Sequence, residues 1–261
     1  MTTTITLIAS SAFSQSPPEN QYFDSDGVRI RYIELGSGEP VIAIHGFTRN
    51  SDTWLERISG LAENHRLILF DQRGHGLSDK PHSVSDYGRE LGHDVIRLMN
   101  HLNIPKAHIL GYSIGVAPIG MAITENETRC VSAVFGGGAP RWDWGEERDL
   151  LNQYRYERML RSPRQQQAES GMEGQDQIAL ANLRLGEKEL VVSKESLSKL
   201  GIPIFAIVGS EDPALEAVNK FKNILPAIEL RVIEGESHIS APENPEFVDS
   251  IQDFFARNKL N

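Results

Sequence analysis

The chain has 261 residues, 39% of them hydrophobic and 24% charged, with a formal net charge of −10 at pH 7. A domain of this length buries roughly 70–75% of the surface its unfolded chain exposes, so its core needs neither disulfide nor metal, and the length favours one large domain over two small ones. The acidic balance repels phosphate backbones and anionic lipid, which excludes nucleic acid and anionic membrane surfaces as expected partners, and no stretch is long and apolar enough to span a bilayer.

Residues 1–20 are set apart from the fold. Ile5 to Phe13 is mildly apolar, Ala12-Phe13-Ser14 has the small-x-small form of a signal cleavage site, and Gln15 to Asn20 is a polar, proline-bearing spacer. No Lys or Arg precedes the apolar run. Two readings stay open: a signal peptide without its charged start, which implies export, or a disordered tail on a cytoplasmic protein. A single domain then runs over 21–261.

Seven runs read as strands. Val28 to Ile33 alternates with Arg29 and Arg31, as an exposed antiparallel strand does. Val41 to Ile44 ends in His45-Gly46, Leu67 to Phe70 in Asp71, and His108 to Leu110 in Gly111. Val131 to Phe135 ends in three glycines, Ile202 to Val208 in Gly209, and Ile228 to Ile233 in Glu234-Gly235. The later runs are apolar on both faces, which suits central parallel strands covered by helices. The lone Cys130, at the head of the Val131 run, has no second cysteine for a disulfide or a metal site and reads as a buried, inert thiol.

Helical patterns lie between these runs. From Ser83, Tyr87, Leu91, Val95, Leu98 and Leu102 share one face of a 3.6-residue period, and Ser83-Val84-Ser85-Asp86 has the form of a capping box at its start. The last helix opens on Asn244-Pro245, an N-cap followed by proline at the first helical position, and carries an apolar stripe of Phe247, Val248, Ile251, Phe254 and Phe255. Strands alternating with helices predict an α/β domain with a largely parallel sheet. Residues from about Arg141 to Ser196 break that rhythm, because they separate two strands by far more than an ordinary connection. The segment is polar and charged with scattered aromatics, and is read as a small helical lid. The competing reading is a partly disordered surface loop, given the polar run Arg161 to Gln167. Trp142, Trp144, Tyr154 and Met159 are candidate substrate contacts there, or else the lid's own packing.

The strongest chemical signal is Gly111-Tyr112-Ser113-Ile114-Gly115. It follows an apolar strand and opens a helix of small and apolar residues. A strand that turns sharply into a helix strains the residue at the turn, and the flanking glycines leave room for it. The serine hydroxyl then stands at the strand's C-terminal end, beside the positive end of the helix. A core serine between packing glycines is the plainer alternative. Serine at its ordinary pKa needs a base. Of eight histidines, His238 has the setting for it, in the turn between the last strand and the final helix. His45 and His75, in glycine-flanked turns, are read as backbone partners. His65, His82, His93, His101 and His108 are read as surface or helix-packing residues, and no metal-ligand cluster is present. An orienting acid is expected past another strand end, in Gly209-Ser210-Glu211-Asp212-Pro213. Asp212, whose turn the proline fixes, is preferred to Glu211. Two backbone donors are expected for an oxyanion: the N–H of Ile114, directly after the serine, and that of Phe47 in the loop after the Val41 strand.

With these residues placed, the chain resembles the α/β-hydrolase superfamily from about Phe23 to its C-terminus. Four blocks carry the resemblance: His45-Gly46-Phe47; Asp71-Gln72-Arg73-Gly74-His75-Gly76-Leu77-Ser78; Gly111 to Gly115; and the Asp212 and His238 turns. The Asp71 block is highly specific to that family, and it resembles a structural turn of the family rather than a chemical one. The order Ser, Asp, His matches this family's. The resemblance implies an eight-stranded, mostly parallel sheet with its second strand antiparallel, flanking helices, a small helical lid and no cofactor. Val116 stands where the family often has a further glycine, which predicts a small change in helix packing. The expected activity is hydrolysis of a small carboxylic ester through an acyl-enzyme. The same apparatus also serves carbon–carbon hydrolysis, lactone opening, amide or peptide cleavage and cofactor-free perhydrolysis. A non-catalytic small-molecule-binding protein is the remaining class.

Overall fold

The structure is a computed structural model and describes residues 17–161 and 175–260. Its strands are β1 (Gln21–Ser25), β2 (Val28–Leu35), β3 (Glu39–Ile44), β4 (His65–Phe70), β5 (Ala107–Tyr112), β6 (Cys130–Gly136), β7 (Ile204–Gly209) and β8 (Glu229–Ile233). They form one sheet in the order β1-β2-β4-β3-β5-β6-β7-β8. β2 is antiparallel to both of its neighbours, and every other pair is parallel. This is the eight-stranded arrangement that the resemblance implied. β1 is not among the seven runs read from the residues. Only Phe23 and Ser25 of its five residues are buried, so no apolar run marks it.

The helices are α1 (Ser51–Ile58), α2 (Arg89–His101), α3 (Val116–Glu125), α4 (Glu146–Arg161), α5 (Gln177–Gly186), α6 (Lys194–Ser198), α7 (Leu215–Ile224) and α8 (Pro245–Arg257). Because successive strand residues face opposite sides, Val41 and Ala43 pack with Trp54 and Ile58 of α1 and with Phe247, Ile251, Phe254 and Phe255 of α8. Ile42 and Ile44 pack on the other side with Leu91 and Val95 of α2, Ile119 of α3 and Phe221 of α7. His65 and His108 are buried strand residues whose rings pack on Phe255, at 5.4 and 4.5 Å between centroids. Burial pushes both imidazoles below their ordinary pKa. Cys130 is buried, and burial pushes its thiol up to about 12, so it is inert as a nucleophile.

Four details depart from the sequence reading. The helix expected from Ser83 starts at Arg89. Residues Val84–Asp86 form a single 3₁₀ turn, Gly88 takes φ +60°, and the Ser83 hydroxyl pairs with that of Ser85 instead of capping. The apolar face still holds, with Tyr87, Leu91, Val95 and Leu98 buried. β8 lies at the sheet edge, and only Ile233 of its five residues is buried. Arg31, expected on an exposed strand, is 2% exposed, because β1 and β4 flank β2 on both sides and its guanidinium is clamped between Asp52 and Asp71. Asn20, set apart with the N-terminal segment, accepts a hydrogen bond from Arg31 Nε at 2.7 Å. The signal-like stretch from Ile5 to Ser14 lies outside the described residues, as does the polar run after Arg161.

The Asp71 block acts as a structural turn. Asp71 accepts from the Ser51 amide and hydroxyl, both at 2.6 Å, and from the Leu77 amide at 2.8 Å. Arg73 donates two hydrogen bonds to Asp94, at 2.8 and 2.6 Å, with both side chains almost wholly buried. Removing one partner of such a pair strands a buried charge. Asp94→Ala is therefore expected to destabilise the domain by about 3–5 kcal/mol, read as a lowered urea midpoint. A midpoint unchanged within error rules out that role for the pair.

Candidate active site

The sheet order reverses between β3 and β5, so the connections leaving these adjacent strands run to opposite faces and open a crevice at their C-terminal ends. Ser113 follows β5 directly, and His45-Gly46-Phe47 follows β3. Ser113 takes φ +57°, a strained value for a residue with a side chain. The glycines on either side make that turn possible: a Cβ on Gly111 would lie 2.5 Å from the Gly115 carbonyl oxygen, and one on Gly115 2.9 Å from that of His45. Val116, where a glycine was the family's habit, is buried in the core at the start of α3.

The carboxylate and the imidazole come from turns after β7 and β8, which are also neighbours in the sheet. Backbone contacts tie these turns together. Ser210 N–H donates to the Ile233 carbonyl and Glu211 N–H to that of Glu236, both at 2.9 Å. Gly209 permits the approach, since a Cβ there would lie 2.0 Å from the Glu236 oxygen. Tyr112, the residue before Ser113, donates its hydroxyl to the His238 carbonyl at 2.6 Å and so fastens that turn to β5.

The three side chains meet. His238 Nδ1 lies 2.7 Å from Asp212 Oδ2, and His238 Nε2 lies 2.8 Å from Ser113 Oγ. A carboxylate only accepts, so Nδ1 carries the proton, and Nε2 of the neutral ring is left to accept from the serine hydroxyl. The second oxygen of Asp212 accepts the Ala214 N–H at 2.8 Å, and the side chain is 1% exposed while that of His238 is 33% exposed. The arrangement can draw a proton from Ser113 and stabilise the imidazolium that results. Glu211 is exposed and uses its backbone rather than its side chain to hold the turn.

Ser113 lines two cavities. The larger, about 800 Å³, also touches Ile114, Arg141, Trp142, Arg184 and Ala214. The smaller, about 330 Å³, touches Phe47, Thr48, Trp54, Tyr112 and His238. Gly46 abuts the serine, for a Cβ on it would be 3.4 Å from Ser113 Cβ. Phe47 and Ile114 thus border Ser113 from the β3 loop and from the turn into α3. His45 bonds backbone on both ring nitrogens, with the Gly46 carbonyl at 2.7 Å and the Gln72 amide at 3.1 Å.

Of the four candidate contacts in the 141–196 insertion, only Trp142 lines a cavity shared with Ser113, and it stacks on Phe221 at 6.1 Å. Trp144 lies off that wall and donates to Asp149, Tyr154 is 61% exposed, and Met159 packs against Leu180 and Ala181 between α4 and α5. The sequence reading missed Arg141, Arg148, Arg184 and Lys194, which line the larger cavity. Arg141 had a signal, being five residues past the end of β6. The other three have none, since helix packing alone brings them to the wall. Among the described residues no group of three His, Cys, Asp or Glu side chains could hold a metal ion, and no helix is long and apolar enough to cross a membrane.

A family model described as the alpha/beta hydrolase fold matches residues 39–167. The dihydrolipoyllysine-residue acetyltransferase component of the acetoin cleaving system of Pseudomonas putida is 38% identical over 102 residues, which are 38% of this chain and 27% of that protein. Haloalkane dehalogenase 2 of Mycobacterium tuberculosis is 30% identical over 151 residues, 56% of this chain and 50% of that one. The chain thus spans half or less of the length of these curated relatives. Among solved structures, a thermophilic esterase from Thermogutta terrifontis superposes with a TM-score of 0.82 at 20% identity, over 93% of this chain and 100% of that one. A bromoperoxidase from Bacillus anthracis superposes at 0.76 with 19% identity, over 90% and 99%. These structural likenesses are likenesses of fold.

Proposed function

We propose that this chain, which belongs to the α/β-hydrolase superfamily, is a serine hydrolase that cleaves a small carboxylic ester through a covalent acyl-enzyme. The observation that carries this is the relay of 2.8 and 2.7 Å from Ser113 through His238 to Asp212. His238 takes the hydroxyl proton as Ser113 Oγ bonds to the acyl carbon. The oxyanion lies between the N–H groups of Phe47 and Ile114, each worth about 3–4 kcal/mol of transition-state stabilisation. The acyl–oxygen bond then breaks, and the alcohol leaves with the proton from His238. Water attacks the acyl-enzyme and gives a proton to His238, and the acid departs as Ser113 recovers its proton.

The insertion between β6 and β7 acts as a lid, a role supported by the part its residues take in walling the cavity that Ser113 opens on. The serine argues against the chemistry named for the dehalogenase relative, which calls for a nucleophilic aspartate. Carbon–carbon, lactone, amide and perhydrolytic reactions share this apparatus. A fluorophosphonate probe tests the reading against a binding-only protein. The intact mass should rise by a single phosphonyl group in the native chain and by none in Ser113→Ala. A native chain that stays unlabelled sinks the proposal.

A further inference from the structure

We infer, on the reading that Ser113 is acylated, that the acyl group it receives carries a carboxylate of its own, bound by Arg141 and Arg184 in the larger cavity. The first ground is charge. Five cations line that cavity, Arg141, Arg148, Arg184, Lys194 and Lys220, against the two anions Asp143 and Glu216. Lys220 and Glu216 pair with each other at 2.6 Å. Three arginines and a lysine are then left against Asp143 on the wall and the buried Glu187 behind it, an excess of two cations in a chain whose net charge is −10. An excess of cations where the whole protein is acidic focuses the field on that cleft and draws in anions.

The second ground is a shortage of carboxylate around the two arginines. Glu187 is buried and accepts from both Arg141 Nη2 and Arg184 Nη1, so one carboxylate serves two guanidinium groups. Arg141 Nε is buried and has no hydrogen-bond partner among the described residues, an arrangement that is costly to leave unfilled. Burial pushes the Arg141 guanidinium below its ordinary range; Glu187 opposes that shift, and Arg148, Arg184 and Arg155 add to it. An added carboxylate offsets this crowding of guanidinium charge, and a planar guanidinium with free N–H groups suits it by two parallel hydrogen bonds. Arg184 also lies over the Phe47 ring, 3.8 Å from its centroid, which anchors it beside the loop that borders Ser113.

The third ground tells the acyl half from the leaving half. The leaving oxygen must take its proton from His238, and His238 lines the smaller cavity and not the larger. The alcohol therefore occupies the smaller cavity, and the acyl chain extends toward the arginines.

The test uses two series of ethyl esters: monoethyl esters of straight-chain dicarboxylic acids, and their neutral ω-carboxamide isosteres, with acyl lengths from about four to eight carbons. Acid release is followed by chromatography, with fluorophosphonate labelling of the same enzyme in parallel. At the best length kcat/KM for the anionic ester should exceed that for the amide at least tenfold. That ratio should fall as sodium chloride is raised, since bound and steering charges are screened. Arg141→Gln should lower the ratio about tenfold. Because that change leaves Glu187 short of a partner and can disturb folding, Arg148→Gln, which has no part in that buried pair, should lower it about threefold. A ratio of one or below at every length, or no turnover of either series while Ser113 still labels, overturns the carboxylate assignment alone. No turnover and no labelling overturns the hydrolase reading and this inference with it.

Discussion

Ser113→Ala is expected to lower kcat on a small carboxylic ester by about 10⁶-fold, the scale on which a serine nucleophile acting as one unit with its base is lost. What remains is the help of the oxyanion donors and of substrate binding, with no acyl-enzyme to form. The fold should tolerate the change. Serine and alanine both carry a Cβ, so the strain at φ +57° is common to them, and the half-exposed hydroxyl gives up only its bond to His238. The measurement is steady-state kinetics on esters of graded acyl length, with thermal unfolding as the folding control. A folded mutant that keeps even a tenth of the native rate rules out the covalent mechanism.

Asp212→Asn should cost about 10⁴-fold in kcat, with little change in KM. The carboxylate at 2.7 Å compels Nδ1 to carry the ring proton. An asparagine amide can donate to Nδ1 instead, which moves the proton to Nε2 and leaves the nitrogen facing Ser113 unable to accept. The loss is one of tautomer and of imidazolium stabilisation, and substrate contacts stay intact. Glu211→Gln is the matched control. Its side chain is exposed and its backbone amide alone ties the turn to Glu236, so its kcat should stay within about threefold. If Glu211→Gln is the damaging change and Asp212→Asn the mild one, the acid has been assigned to the wrong residue.

Much of the candidate site was legible because parallel strands all end at one edge. Ser113, Asp212 and His238 each follow an apolar run, and a residue just past such a run must emerge at that edge whatever the packing beneath. The same logic reached the Phe47 loop after β3 and Ile114 after β5. It failed on the insertion. There large apolar side chains are poor guides: Tyr154 is turned to solvent and Met159 is consumed between α4 and α5, while Arg184 and Lys194 reach the cavity wall. β1 escaped for a related reason, since an edge strand with two buried residues has almost no pattern to read. The capping box expected at Ser83 does not form, and Gly88, at φ +60°, stands between the Val84–Asp86 turn and the start of α2.

By itself the sequence determined the class of the fold and brought Ser113, Asp212 and His238 forward as candidates, because apolar periodicity and glycine-bounded turns act over a few residues and need no distant partner. Only the tertiary structure decided that the β7 and β8 turns lock together through Glu211 and Glu236, that Tyr112 fastens the His238 turn, and that five cations line the larger cavity. These contacts join residues far apart in the chain. Their energy comes from approach and burial, and no local pattern encodes either.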